Sequence, residues 1–344
     1  SILPWGEPPE NGFIIDDGEV IIWNQVDSVV TPEVINNIKK LCGHIDLAHV
    51  RFETLLEGNF AFHRPLQLPF TEYQSFLQMV KMLDPKFILP GSAAFRYSDE
   101  FGFLNNLSFP TSPQQFLNDL SEFCPEVKRS PFAHGDVAEI SSQGVEIRPQ
   151  DSDFVRIDEN DKSVVEFKPV APVLPIKTLA KDKVTHEKQR QDVIRFVEGE
   201  MLQEMLQNEM AEVWRHWKIS YQLEVFGMDG ASDIWTVDFS KEPEMQKGRA
   251  GKINLYEGIS CSELYGLVNQ TANWDFISGS AQYRTFHNVY KIENESFYYY
   301  PQDKKLPQPL RVIFPNDREM KIEQFMKDVR RWKNKVHPVG VSVS

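Results

Sequence analysis

Cysteine is scarce in this chain: Cys42, Cys124 and Cys261 are three in 344 residues and stand far apart, with no CxxC pair. That excludes a zinc knuckle or a disulfide framework and suits a reducing compartment. Long apolar runs are missing too. None approaches the roughly 18 residues a membrane helix needs, and the opening SILPWGEPPENGF lacks the basic flank and apolar centre of a secretory signal. Basic charge is in deficit, with 37 Lys and Arg against 50 Asp and Glu and a net charge of −13. Such a balance repels phosphate backbones and anionic lipid, and the clearest basic cluster, KDVRRWKNK at 327–335, reads as a solvated helix end. The expectation is a soluble, cytoplasmic protein with no nucleic-acid or membrane partner. Nucleotide and hydrolase fingerprints are missing as well. There is no P-loop, no Rossmann glycine motif and no G-x-S-x-G elbow, since GSAAF lacks the second glycine.

What is present is ordinary globular material. At 41% hydrophobic and 25% charged the chain has enough apolar residues for a core, and its length favours two domains. GFIIDDGEVIIWNQVD at 12–27 reads as a strand, a tight DDG turn and a second strand. TPEVINNIKKLCG follows as a helix capped by Thr31, with Pro32 in its first position and Gly43 at its end. HIDLAHVRF is a strand. TEYQSFLQMVKMLDP places Tyr73, Phe76, Leu77, Val80 and Leu83 on one helical face, KFILPGS is a buried strand, and SPQQFLNDLSEFCP is another capped helix. The ββαβαβ…α order makes residues 1–167 an α/β layered domain. KPVAPVLPIK, three prolines in seven residues, opens a linker over 168–183. Residues 184–215 carry the longest helical pattern, with a stripe of Val193, Val197, Met201, Met205, Met210 and Val213 that reads as packing ahead of a Met-lined groove. Residues 216–344 form a small α+β domain. It begins with the hairpin ISYQLEVFGM–SDIWTVDFS around a DGA turn, continues through a GKINLYE strand, and has a capping box from Ser260 to Glu263. YRTFHNVY and SFYYYP give further strands, and REMKIEQFMKDVRRWK gives a closing helix.

Candidate chemistry begins with His44, Asp46 and His49 in GHIDLAHVRF. On a strand His44 and Asp46 share a face and His49 points to the other, so the three cannot ligate one metal without a bulge. His49 remains a candidate for a site assembled from several strands. His63 beside Arg64 in GNFAFHRP is a candidate anion pocket, with a packing role as the alternative. Cys261 opens a helix, which lowers thiol pKa, yet capping by its serine neighbours explains the position equally. Asp136, beside His134, reads as a turn residue.

Taken in order, residues 12–140 resemble the second half of a metallo-β-lactamase-fold domain. LDPKFILPGSAAFRYSDEFGFLNN and FLNDLSEFCPEVKRSPFAHGDV resemble the large branch related to sialic-acid hydroxylase and lactonase-like hydrolases. The resemblance implies half of an αββα sandwich and one or two divalent metals, iron or zinc, that make hydroxide available from bound water. It places the bridging carboxylate at Asp27, with a loop-capping role as the alternative. The hallmark H-x-H-x-D-H lies outside these residues, and Gly91 and Ser92 stand where the late histidine is expected. Residues 216–333 resemble the sterol-carrier-protein-like domains of some large members through GKINLYEGISCSELYGLV. There Trp235, Phe239, Trp274, Phe276, Tyr298, Tyr299 and Tyr300 would line a cavity, fill a core or form a dimer interface.

These resemblances imply part of a metal-dependent oxygenase, hydroxylase or hydrolase acting on a small molecule, with the missing half supplied by another polypeptide. The start at Ser1 instead of Met fits a processed chain or a fragment. Metal ligands would include Asp27 and His49; substrate contacts would include His63, Arg64 and Arg96. The alternative is a metal-free scaffold or hydrophobic-ligand-binding protein, monomeric or self-paired.

Overall fold

The computed structural model describes residues 2–5, 10–28, 30–52, 68–91, 111–150, 153–154, 183–249, 251–280, 282–300 and 306–315. The chain divides into two compact units. The first is Ser1–Val170 with Tyr290–Tyr299, and the second is Ala171–Val289 with Tyr300–Ser344. Both are mixtures of sheet and helix. Among the described residues no helix is long and apolar enough to cross a membrane.

The first unit is organised by a six-stranded sheet in sequence order: β1 (Ile2–Trp5), β2 (Gly12–Asp16), β3 (Ile21–Asn24), β4 (Leu47–Val50), β5 (Phe87–Pro90) and β6 (Lys128–Arg129). The first three strands are antiparallel and the last three run parallel to β3. The β2–β3 turn is the expected DDG. Gly18 takes a φ of 94°, and the Asp17 carboxylate accepts the N–H groups of Glu19 and Val20.

Each parallel step is bridged by a helix: α1 (Pro32–Cys42), α2 (Phe70–Leu83) and α3 (Pro113–Phe123). The right-handed crossover rule, applied to strands that progress in one direction, puts all three helices on the same face of the sheet. That face carries Ile14, Trp23, Ala48, Val50 and Ile88, each at most 1% exposed. The caps are those expected: Thr31 accepts from Val34, Gly43 ends α1 at a φ of 77°, and Ser112 caps α3. All five residues expected on the apolar face of α2 are buried. A separate exposed hairpin, β7 (Val137–Ser141) and β8 (Gly144–Arg148), follows the sheet.

In the second unit the long helical stretch is not continuous. It runs as α4 (Lys183–Phe196), a π-helical turn (Val197–Met201), α5 (Leu202–Gln207) and α6 (Met210–His216). Asn208 is extended, at φ −86° and ψ 142°, and its side chain caps the Met210 N–H. The π-turn and this break shift the inward face. Val193, Val197, Met201 and Met205 are buried as expected, but beyond the break the core positions belong to Ala211 and Trp214 instead of Met210 and Val213.

The helices pack on a five-stranded sheet of order β11-β10-β9-β12-β13. Its strands are β9 (Ser220–Phe226), β10 (Ser232–Asp238), β11 (Gln246–Lys247), β12 (Leu255–Ser260) and β13 (Tyr283–His287). β12 lies parallel to β9, and the other pairs are antiparallel. The strand expected at GKINLYE begins later, at Leu255, and runs into α7 (Cys261–Val268) through the Ser260–Glu263 cap. α8 (Trp274–Ser280) and α9 (Pro309–Ile313) complete the unit.

The hairpin β14 (Tyr290–Glu293) and β15 (Ser296–Tyr299) belongs to the first unit, although it lies inside the 216–344 stretch read as one domain. Tyr299 stacks on Phe70, and Asp119 on α3 accepts from both Tyr73 and Tyr290 at 2.6 Å. The aromatic set expected to line a cavity, fill a core or form a dimer interface is therefore divided between the units. Trp235, Phe239 and Trp274 are in the second unit's core, and Tyr300 packs against it. Phe276 and Tyr298 are exposed. The proline linker and the 318–333 helix lie outside the described residues.

Candidate functional site

Among the described residues, two of the places that combine polar chemistry with burial hold candidate chemistry. The first is the carboxyl end of the parallel strands in the first unit, where sheets of this kind commonly place ligands. Asn24 ends β3 and its Oδ1 accepts the Val26 N–H at 3.1 Å, so the same oxygen faces His49 Nδ1 at 3.2 Å as an acceptor. His49 therefore carries its proton on Nδ1 and presents Nε2 as a lone pair. Burial holds its pKa below the usual imidazole value. The ring lies across Gly91, where a Cβ would fall 1.7 Å from Nε2.

Beside it is a closed polar network. Gln25, 2% exposed, donates to the Ser28 carbonyl and accepts the Arg51 N–H, and Ser28 donates back to the Gln25 carbonyl. Arg51 reaches the Asp27 backbone carbonyl at 3.3 Å and Glu72 at 3.4 Å, and lies over the Phe76 ring.

The structure thus brings His49 to the strand end beside Asn24, and it ties the Asp27 main chain to Arg51. Among the described residues no group of three His, Cys, Asp or Glu side chains could hold a metal ion. Asp27 and His49 alone do not complete the donor set that iron or zinc requires. His63, Arg64 and Arg96 lie outside the described residues.

Asp46 has a structural role. It accepts from the Ile21 N–H at 2.8 Å and from Lys86 at 2.6 Å, with His44 at 3.3 Å. Burial raises its pKa, but Lys86, the Ile21 N–H and His44 outweigh burial and leave it below the ordinary value. Asp136 is a turn residue, bonded both ways to Ala133.

The second place is the interior of the second unit. Glu257, in the middle of β12, is 0% exposed. Strand alternation puts it on the same face as Leu255 and Ile259, among core residues. Its Oε2 accepts from Tyr221 Oη at 2.9 Å and from the Leu310 N–H at 3.0 Å, and its Oε1 meets Tyr283 Oη at 2.5 Å. Tyr283 Oη also lies 2.8 Å from Gln308 Oε1. The Arg311 guanidinium sits over the Trp274 ring at 4.4 Å and near Tyr283 at 5.5 Å. Burial raises the Glu257 pKa against the opposing pull of Tyr283, the Leu310 N–H, Tyr221 and Arg311, with a net upward result. Both tyrosine hydroxyls are pushed well above 10, first by burial and then by the Glu257 charge.

Residues 306–314 are anchored to this interior elsewhere as well. Trp214 Nε1 donates to the Pro307 carbonyl at 2.8 Å and Trp274 Nε1 to the Phe314 carbonyl at 2.6 Å. Sequence reasoning passed over Glu257. The available signal was an acidic residue inside the otherwise apolar LYEGIS. Cys261 is not an activated thiol, because it is 1% exposed and burial pushes it up to about 12.

No family model matches the chain, and no curated protein matches it. Among solved structures it is similar to Sterol Carrier Protein 2 from Yarrowia lipolytica in its apo form, at 17% identity and a TM-score of 0.22, over 33% of this chain and 87% of that one. It is also similar to the sterol carrier protein domain 2 of Helicoverpa armigera, at 11% identity and a TM-score of 0.20, over 44% of this chain and 91% of that one. Likeness at this level says nothing about function.

Proposed function

We propose that this protein binds an apolar small molecule in the interior of its second unit, with the first unit acting as a metal-free scaffold. The observation that carries the reading is Glu257, an ionisable group placed at 0% exposure in a core built mainly of apolar side chains, where it is met by the Tyr221 and Tyr283 hydroxyls and the Leu310 N–H. Burying a carboxyl is costly, and an aliphatic side chain of similar volume would hold the sheet at least as well. Strongly perturbed, desolvated titratable groups cluster at functional sites. A ligand with an apolar body and one polar end suits such an interior, where few polar groups set orientation.

The test is to purify the protein from its own source under native conditions, extract it with organic solvent and analyse the extract by mass spectrometry. A recurrent apolar compound near one per chain supports the proposal. Empty extracts, together with no uptake of a fluorescent apolar probe, would sink it.

A second reading is a metal-dependent oxygenase or hydrolase completed by another polypeptide. What favours it is the orientation of His49, whose Nδ1 is held by Asn24 while Nε2 is offered as a donor at the carboxyl ends of parallel strands. Such outer hydrogen bonding is how metal-binding histidines are set. The six-strand order with parallel crossovers is compatible with half of a metallo-β-lactamase-type sandwich. Native mass spectrometry with metals retained separates the readings, since a second chain carrying one or two metals would replace the scaffold assignment.

A further inference from the structure

We propose that residues 306–314 form a proton-operated strap over the interior of the second unit, which protonated Glu257 holds closed and ionised Glu257 releases. The inference rests on the reading that this interior receives the ligand, and it adds what controls entry.

Tyr283 Oη has one proton and stands between two acceptor oxygens, Glu257 Oε1 and Gln308 Oε1. With Glu257 ionised, that proton serves one of them, and the other contact sets two acceptors against each other. With Glu257 protonated, the chain closes. The carboxyl donates to Tyr283, Tyr283 donates to Gln308, and Tyr221 and the Leu310 N–H donate to the remaining oxygen. Both Glu257 oxygens and the Tyr283 hydroxyl are then served, as buried polar atoms require. The proton belongs to the carboxyl but the benefit falls on the strap, because Gln308 and Leu310 are both strap residues.

The strap is built to be held by such bonds. Leu306, Leu310, Ile313 and Phe314 are buried, at 2%, 0%, 6% and 4% exposure, so opening the strap opens the core. α9 is only five residues long, too short to be stable without these attachments. Further anchors among the described residues include two indole N–H groups, from Trp214 and Trp274, the Arg311 guanidinium over the Trp274 ring, and the Phe314 ring against Phe196, and none of these titrates in the carboxylate range. The titratable or charged groups acting on Glu257 are Tyr283 from β13, Tyr221 from β9 and Arg311 from α9 itself. The tyrosines stay neutral across the physiological range and arginine stays charged, which leaves Glu257 as the group that changes.

The sign follows. The closed state binds the proton more tightly than an open, hydrated state, whose carboxyl titrates near its ordinary value. The strap is therefore most firmly closed at low pH. Opening grows as pH rises above the ordinary carboxylate range, by about ten-fold per pH unit at most for one proton. It levels off once pH passes the raised value of the closed form.

The experiment is hydrogen–deuterium exchange on the ligand-free full chain, followed on peptides covering 306–314 between acidic and mildly alkaline pH and corrected for intrinsic exchange. The expected result is opening that rises with pH in wild type and stays flat and low in Glu257→Gln, whose amide N–H donates to Tyr283 as the protonated carboxyl does. Difference infrared spectroscopy should show a buried carboxyl that loses its proton across the same pH range in wild type and is missing in the variant. Gln308→Ala removes the competing acceptor from a partly exposed position. It should narrow the pH window, and it serves if Glu257→Gln fails to fold. A flat wild-type profile, or an undiminished slope in Glu257→Gln or Gln308→Ala, overturns the strap. Because no ligand is present, neither outcome depends on whether the extraction finds one.

Discussion

The imidazole of His49 occupies the space that a side chain at position 91 would need. A Cβ built on Gly91 would fall 1.7 Å from His49 Nε2 and within 2.3 Å of two ring carbons. The glycine in LPGS is thus required by a residue from the neighbouring strand, and Gly91→Ala must expel the ring. The expected loss is about 1–3 kcal/mol of unfolding free energy in urea, the usual penalty for overpacking. In the Gly91→Ala/His49→Ala double variant most of that loss should be recovered. Additive losses in this double-mutant cycle would show that the two residues do not compete for the space.

His287 should make the protein acid-sensitive. Burial pushes its imidazole down to about 4, against about 6.5 in an unfolded chain. A lowered histidine is neutral in the fold, so its contribution is fully present above about 6.5 and lost as pH falls toward 4. At about 1.36 kcal/mol per unit the loss approaches roughly 3 kcal/mol. Urea midpoints measured across this range should fall on acidification, and less so in His287→Gln. An equal fall in both would assign the effect to other groups.

The thiols should be inert in the native protein. Cys124 and Cys261 are 5% and 1% exposed, and burial raises them to about 11 and about 12. Cys42 is partly exposed but also raised, by burial and by Asp16. Native labelling with a thiol reagent near neutral pH should be slow at Cys42 and slower at the other two, with all three reacting after denaturation. Rapid native labelling of Cys261 would restore it as a nucleophile.

The hairpin Tyr290–Tyr299 should depend on Asp119. One carboxylate oxygen takes hydroxyl protons from Tyr73 and Tyr290, both at 2.6 Å, and Tyr73 is 0% exposed. Asp119→Ala leaves two buried hydroxyls without that acceptor and should cost about 2–4 kcal/mol, while Asp119→Asn should cost less. Hydrogen exchange confined to 290–299 should rise with the first change. Unchanged protection there would mean that the aromatic contacts of Tyr299 with Phe70 and of Phe297 with Tyr73 hold the hairpin alone.

Features that depend on neighbours a few residues away are legible in the order of residues. Thr31, Pro32 and Gly43 bound α1, Ser112 caps α3, Ser260 and Glu263 cap α7, and the turns after Asp16 and at Asp229 set their hairpins. These interactions close within one turn of chain, so spacing alone exposes them. Asp46 and His49 could be placed on a strand in the same way, but not their partners, because Lys86 and Asn24 are 40 and 25 residues distant.

The three-dimensional fold set the rest. It assigned Tyr290–Tyr299 to the first unit, moved the inward face of the helical stretch past the π-turn and Asn208, set His49 over Gly91, and gathered Tyr221, Tyr283 and Leu310 around Glu257. Each of these joins residues distant in sequence or turns on a one-residue change in helical register. Local propensity is indifferent to such choices, and it is the burial of apolar surface and the pairing of buried polar atoms that settle them.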